Sequence, residues 1–196
     1  MVQYDKSNKQ LLTSACIQCP DVEFTRRDKE LEEIGCCSHS PTFGLGEIQH
    51  MLVWEGKEEV ERQLVYREGS ELSPYSVMVN AFVAPSYHKE DTRNLNQIEK
   101  ADLKLSYSTC QFFVSQQGCS LSPHYKPSVC RSFICSTVEN QLESADKQAM
   151  NQAAKEIRKS SNETHDRLKK LLKWYGVTLK KDRFKVYEVL IDDYIK

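Results

Sequence analysis

The stretch CQFFVSQQGCSLSPHYKPSVCRSFIC, residues 110–135, decides how this chain reads. It spaces Cys110, Cys119, Cys130 and Cys135 as C-x8-C-x10-C-x4-C. Gly118, Ser120, Pro123 and Pro127 break up the text between them. Such residues make turns and not helix interiors: Gly takes left-handed backbone at no steric cost, Pro fixes φ and removes a donor, and Ser bonds to its own neighbouring backbone. Four thiols carried on turns are a pattern that metal-ligating loops share.

A second group lies towards the N-terminus. Cys16 and Cys19 form a C-x2-C pair in ACIQCP, and Cys36 and Cys37 follow as a vicinal pair in IGCCSHSP. Two intervening residues let a tight turn bring both sulfurs to roughly 3.5–4 Å, as ligation of one metal at about 2.3 Å per bond requires. Cys16 and Cys19 can therefore share a metal. Adjacent cysteines in extended backbone point to opposite faces, so Cys36 and Cys37 are not expected to be two simple ligands of one ion.

Nothing in the first residues forms the apolar core of a signal peptide, since Leu11-Leu12 is followed at once by Thr13 and Ser14. No stretch reaches the roughly 18 uninterrupted apolar residues of a membrane span. The expectation is a cytoplasmic chain without a membrane partner. A reducing compartment disfavours structural disulfides and favours clustered thiols that bind metal or act in redox chemistry. A free Cys can also be a small buried hydrophobe, but loop context and pairing speak against that for this set. His39 and His124 lie near the cysteines; they read as ordinary loop histidines, because thiolates alone can complete a site. Zinc and iron–sulfur stay open at this point, since thiolates suit both.

The pattern resembles the YkgJ-like cysteine-cluster family of presumed zinc- or iron-chelating proteins. The likeness rests on Cys110-Gln111-Phe112-Phe113, Gly118-Cys119, Lys126-Pro127 and Cys130-Arg131-Ser132-Phe133, with Cys135 beyond. In that family a cysteine with an aromatic or aliphatic pair precedes Gly-Cys, Arg-Pro and Cys-Arg steps. Here Lys126 stands in the place of the usual Arg, and sixteen residues separate Cys19 from Cys36 where the family runs closely into its vicinal pair. The resemblance implies binding of iron, an iron–sulfur cluster or alternatively zinc through Cys16, Cys19, Cys36, Cys37, Cys110, Cys119, Cys130 and Cys135. It implies little about a reaction, although a related module occurs in a flagellin lysine methylase; for a catalytic site, a redox role or an accessory role to a modifying enzyme fits best, since several thiolates around one centre can change oxidation state or leave one cysteine free to react. Arg131, directly after Cys130, is the residue expected to stabilise a thiolate or hold a bound anionic group; the competing expectation is that it bonds backbone carbonyls in an irregular loop.

Around the cysteines the text predicts a mainly α, α+β single domain over residues 1–196, its irregular cysteine-rich loops (16–37 and 110–135) organised around the metal or iron–sulfur site and its helical part spanning 139–196. FTRRDKELEEIG, residues 24–35, reads as a short helix closed by Gly35. Ile48, Met51, Leu52, Val60, Leu64 and Val65 have helical spacing interrupted by Gly56, which predicts two short helices. YSVMVNAFV, residues 75–83, is β-branched and aromatic and predicts a strand. Residues 94–105 are weakly periodic, either helix or irregular chain. Residues 144–175 are rich in helix formers and end at Gly176 in C-cap position. The apolar seam of that segment runs Met150, Ala154, Ile157, Ser161, Thr164, Leu168, Leu171 and Tyr175, turning polar in the middle. A helix of 32 residues would be about 48 Å long, so a break at KSSNE with Ser160 and Glu163 as a capping box is expected. Phe184, Tyr187, Ile191 and Tyr194 predict a terminal amphipathic helix, with a strand as the alternative.

The formal net charge is −1, which removes a global argument for a polyanionic partner. Locally, residues 21–71 hold 13 acidic and 6 basic side chains, while residues 155–185 hold 11 basic and 4 acidic. The two segments can attract one another, or residues 155–185 can meet nucleic acid or an acidic protein. No G-x-G-x-x-G, G-x4-G-K-[ST], H-E-x-x-H or G-x-S-x-G occurs, so the common nucleotide-cradling and hydrolase signatures are absent.

Overall fold

The computed structural model describes residues 2–16, 19, 24, 26–32 and 34–196. The chain opens with an unexpected hairpin: β1 (Val2–Asp5) pairs antiparallel with β2 (Gln10–Thr13), Val2 facing Thr13 and Asp5 facing Gln10. Its turn is tied by Asp5, whose carboxylate accepts from the Ser7 N–H at 3.0 Å, from the Ser7 hydroxyl at 2.6 Å and from the Asn8 amide at 2.7 Å. Led by the Ser7 and Asn8 side chains, these donors lower the Asp5 pKa to about 2. Lys9 then takes the left-handed conformation, φ 47°, that turns the chain into β2.

β3 (Thr42–Gly44) runs straight into α1 (Leu45–Trp54). Gly56, at φ 90° and ψ 172°, breaks the helix before α2 (Lys57–Val60), which continues as a π turn over Glu61–Val65. The two-helix expectation with its break at Gly56 is met because that backbone conformation belongs almost to Gly alone. β4 (Ser70–Ser73) and β5 (Ser76–Val79) complete an antiparallel sheet in the order β3-β5-β4. The predicted strand over 75–83 is split: β5 ends at Val79, and β6 (Phe82–Val83) belongs to another sheet. α3 (Gln97–Leu105) is a helix with a full capping box, the Asn96 side chain accepting from Ile98 and Glu99 while Glu99 takes the Asn96 N–H. β7 (Ser108–Thr109) returns from it to pair with β6. β8 (Phe113–Val114) and β9 (Gly118–Cys119) form a small hairpin, followed by α4 (Ser128–Ser132) and α5 (Ser136–Glu139).

Two helices close the chain, α6 (Ser144–Tyr175) and α7 (Leu179–Ile195). α6 is continuous, so the expected break at KSSNE is corrected, and Gly176 ends the helix at φ 69°. The Ser160 carbonyl accepts from the Thr164 hydroxyl within the helix, and Ser161 donates to Glu47 of α1, so the polar middle of the seam faces partners and not a helix start. Ala153 and Leu172 are buried on the seam, in place of the expected Ala154 and Leu171, and Tyr175 is exposed. The helix expected over residues 24–35 is also corrected. Its described residues are bends and turns: Asp28 accepts the Glu30 N–H at 2.9 Å, a side-chain bond that competes with helix, and Arg26 donates to the carbonyls of Glu32 and Ser108.

The main core joins α1, the central sheet, α6 and α7 through Phe43, Ile48, Met51, Val77, Leu168 and Leu190, all within 1 % of complete burial. The N-terminal hairpin packs Leu11 on Met150, Ala153 and Ile157 of α6. At the other side, Glu61 accepts from Arg183 at 2.8 Å and from Tyr187 at 2.7 Å, so one acidic and one basic charge of the oppositely charged segments do meet. The result is a single α+β fold. Among the described residues, no helix is long and apolar enough to cross a membrane.

Candidate functional site

The cysteine loops fold back through the backbone. The Phe113 N–H donates to the Cys110 carbonyl at 3.0 Å and the Ser120 N–H to the Phe112 carbonyl at 2.8 Å. Gly118, at φ 84°, lets the chain return so that Cys119 stands opposite Phe113 on β9. Cys110 and Cys119 both pack against the main core. Arg67 lies over the Phe112 ring at 4.3 Å, close enough for its charge to favour the Cys110 thiolate; burial is the larger influence and pushes that thiol's pKa up.

Cys36 and Cys37 sit in a single 3-10 turn, Cys36–Ser38, fastened by the Ser38 hydroxyl to the Ile34 carbonyl at 3.0 Å. The premise of extended backbone therefore fails here, and the two thiols are hydrogen-bonded to each other. The Cys37 carbonyl accepts the Cys110 N–H at 2.7 Å, which fixes the vicinal pair against the second group. Cys19 belongs to the same neighbourhood, its sulfur accepting the Gly35 N–H at 3.3 Å.

Cys130 lies on α4 and is exposed as a residue, but its thiol is desolvated by the groups packed round it, which, with the charges of Cys119, Cys110 and Cys36 and against that of Lys126, pushes its pKa up to about 12. The bond with Cys37, then burial, drive Cys36 the same way. Cys36, Cys37, Cys110, Cys119 and Cys130 are accordingly near enough to influence one another. Among the described residues, however, no three His, Cys, Asp or Glu side chains are set to hold one metal ion. The thiols gather without meeting at a point. Cys135 is the N-cap of α5, its carbonyl accepting from Val138 and Glu139. Cys16 ends a 3-10 turn, Ser14–Cys16, and the expected sharing of a metal by Cys16 and Cys19 falls on a side chain outside the described residues.

Arg131 bonds backbone carbonyls: Lys126 through Nε at 2.8 Å, and Asn8 and Lys9 through Nη1 at 3.3 and 3.2 Å. Its Nη2 faces Glu47 at 3.7 Å. His39 is exposed, with Nδ1 at 3.3 Å from the Cys36 carbonyl. His124 stacks on Trp54, ring centroids 4.2 Å apart and planes 6° from parallel, and its carbonyl accepts from His50 Nδ1 at 2.7 Å. Sequence reasoning missed the N-terminal turn as part of any site; the one signal pointing to it was the polar interruption of the α6 seam at Ser160, Ser161 and Thr164.

Comparison of the chain with protein-family models, with curated proteins and with solved structures found no match.

Proposed function

We propose that the chain is a metal-binding protein that takes up iron, as an ion or an iron–sulfur cluster, through thiolates drawn from both cysteine groups, zinc being the alternative metal. One observation carries the reading: the Cys110 N–H donates to the Cys37 carbonyl at 2.7 Å, so that cysteines 73 positions apart in sequence stand side by side. The donor set suits a thiophilic metal in kind, since thiolates are the ligands common to zinc and iron–sulfur sites. Cys36, Cys110, Cys119 and Cys130 would hold the metal, with Cys37 and Cys19 beside them. Bound there, the metal would supply the charge that keeps several thiolates ionised together, a state that the surrounding burial otherwise opposes. Resemblance of the second group to the YkgJ-like family supports iron over zinc.

Cys119→Ser and Cys130→Ser test the proposal. Each should lower both the metal content of the purified protein and its melting temperature, because a metal bound only by the folded chain adds its binding free energy to stability. Full metal occupancy with unchanged melting in both variants would overturn it.

A second reading rests on Trp174, 78 % exposed directly after Lys173 and one helical turn beyond Lys170. An exposed aromatic ring among lysines is a stacking surface for nucleic acid, so residues 155–185 are the proposed contact for nucleic acid or an acidic protein.

A further inference from the structure

Between the N-terminal turn, the start of α1, the loop before α4 and the middle of α6 lies a cavity of about 230 Å³. Lys9, His50, His124, Arg131, Ser160 and Ser161 are among its lining residues. Among the described residues, no cysteine lines it. Its size falls just below the roughly 300–1,000 Å³ of drug-sized sites, which suits a small molecule.

The chemistry of the lining is that of an anion site. Arg131, with 14 % of its side chain exposed, is held rigid by three carbonyl acceptors on Nε and Nη1. Its Nη2 stands 3.7 Å from Glu47, beyond hydrogen-bond range, which leaves both Nη2 hydrogens for a ligand. Glu47 is itself occupied elsewhere: one carboxylate oxygen accepts the Gly44 N–H at 3.1 Å and the other the Ser161 hydroxyl at 3.0 Å. Lys9 reaches the cavity with the Ser160 hydroxyl at 3.1 Å as its hydrogen-bond partner and, among the described residues, no carboxylate within ion-pair distance. Two cations thus face the cavity against one acid whose oxygens are already engaged. His50 donates its Nδ1–H to the His124 carbonyl, so the ring is fixed in place at the wall.

The same arrangement accounts for the polar middle of α6. A helix that only packed there would continue its apolar seam from Ile157 to Leu168; this one places Ser160, Ser161 and Thr164 on the cavity. Gly46 admits the close approach of α6, since a Cβ at that position would lie 3.2 Å from the Thr164 methyl.

We infer that this cavity binds a phosphate group, free or carried by a small molecule, with Arg131 Nη2 and Lys9 Nζ as its charged donors and the Ser160 hydroxyl as a neutral one. Donors arriving from the N-terminal turn, from α4 and from α6 match a tetrahedral oxyanion with several acceptor oxygens better than a planar carboxylate with two. The inference does not depend on metal binding by the cysteines, and either can fail without the other.

Isothermal titration of the full chain with inorganic phosphate, glycerol phosphate and acetate at matched ionic strength tests it. Saturable binding of a phosphate ligand, with acetate weaker by about tenfold or more, is expected. Tighter binding of glycerol phosphate than of phosphate supports the site with an organic phosphate as its ligand, and the reverse order supports it with the free ion. Lys9→Asn should weaken phosphate binding by about fivefold or more while melting stays unchanged, because Lys9 is exposed at φ 47°, a conformation that Asn tolerates. Ser160→Asp, which sets a carboxylate beside Lys9, should abolish binding. No saturable heat with either phosphate ligand, acetate binding as tightly as phosphate, or both variants binding phosphate like the unaltered chain would overturn the inference.

Discussion

The Cys110 N–H donates to the Cys37 carbonyl at 2.7 Å, across 72 intervening residues. That single bond joins the two cysteine groups before any metal is present. It belongs to a larger arrangement in which Cys19 accepts from Gly35, Cys37 is bonded to Cys36, and Cys130 feels the charges of Cys119, Cys110 and Cys36. The folded chain therefore draws the two cysteine groups together, so that a metal bound as proposed would have to close a smaller distance than in a disordered loop.

The Cys130 thiol should be a sluggish nucleophile in spite of the exposed position of the residue on α4. Burial leads the rise of the Cys130 pKa from an ordinary 9.0 to about 12, which at pH 8 lowers its thiolate fraction on the order of a hundredfold or more. Peptide mapping after iodoacetamide treatment should find Cys130 modified far more slowly in the folded chain than in urea; equal rates would contradict the assignment. The sign for stability follows. A folded pKa above the unfolded one means that the contribution is complete below pH 9 and is lost as pH rises towards about 12, so melting of the metal-free protein should fall across that window.

Glu61 offers a second test, on the scaffold. Burial alone would raise its pKa, but hydrogen bonds from Arg183 and Tyr187 prevail and lower it below 4.5. Such a group contributes stability above its unfolded pKa and loses it as pH falls, so melting should decline below about pH 4.5 more steeply in the unaltered chain than in Glu61→Gln. Glu61→Ala should cost about 2–3 kcal/mol in urea unfolding, below the range for a fully buried pair because Arg183 keeps 27 % of its side chain exposed.

Gly56→Ala should destabilise by about 1–3 kcal/mol, since φ 90° and ψ 172° form a conformation that a Cβ resists. The nearest atom to that Cβ would be the Glu58 carboxylate at 3.5 Å, an ordinary contact, so the cost is in the backbone. Chemical denaturation measures it; no loss would mean that the junction of α1 and α2 relaxes freely.

The basic segment makes its own prediction. Arg167 and Arg183 are committed to Asp193 and Glu61, which leaves Lys170 and Lys173, with Lys169 over the Tyr75 ring at 5.5 Å, to meet a polyanion. Retention on heparin should be strongest at low salt and should vanish when Lys169, Lys170 and Lys173 are replaced together. Absence of retention at low salt would rule that contact out.

Much of the scaffold was legible because its causes are local. Gly56 and Gly176 mark helix boundaries through their own φ. What escaped depends on distant partners. Residues 24–35 carry helix-forming text, yet Arg26 is drawn to the Ser108 carbonyl and Asp28 to the Ser86 hydroxyl, and those contacts win over propensity. The N-terminal hairpin turns at Lys9, a residue type that gives no hint of positive φ. At the site, the grouping of cysteines was plain, because spacing is a property of the sequence. The placement of Cys19 at Gly35 and of Cys130 near Cys36 was not, since both follow from how the loops settle against the core. The expected break in α6 failed for a related reason: Ser160 and Ser161 look like a cap in isolation and are wall residues in the fold.

The measurement that bears most directly on the central claim is metal analysis with an absorption spectrum on the full chain purified without oxygen. Stoichiometric iron, with visible absorption that disappears in Cys130→Ser, is the predicted result, and a colourless protein loaded with one equivalent of zinc would replace iron by the alternative metal. A chain that holds neither metal, and takes up neither when supplied under reducing conditions, would contradict the claim that its thiols form a metal site.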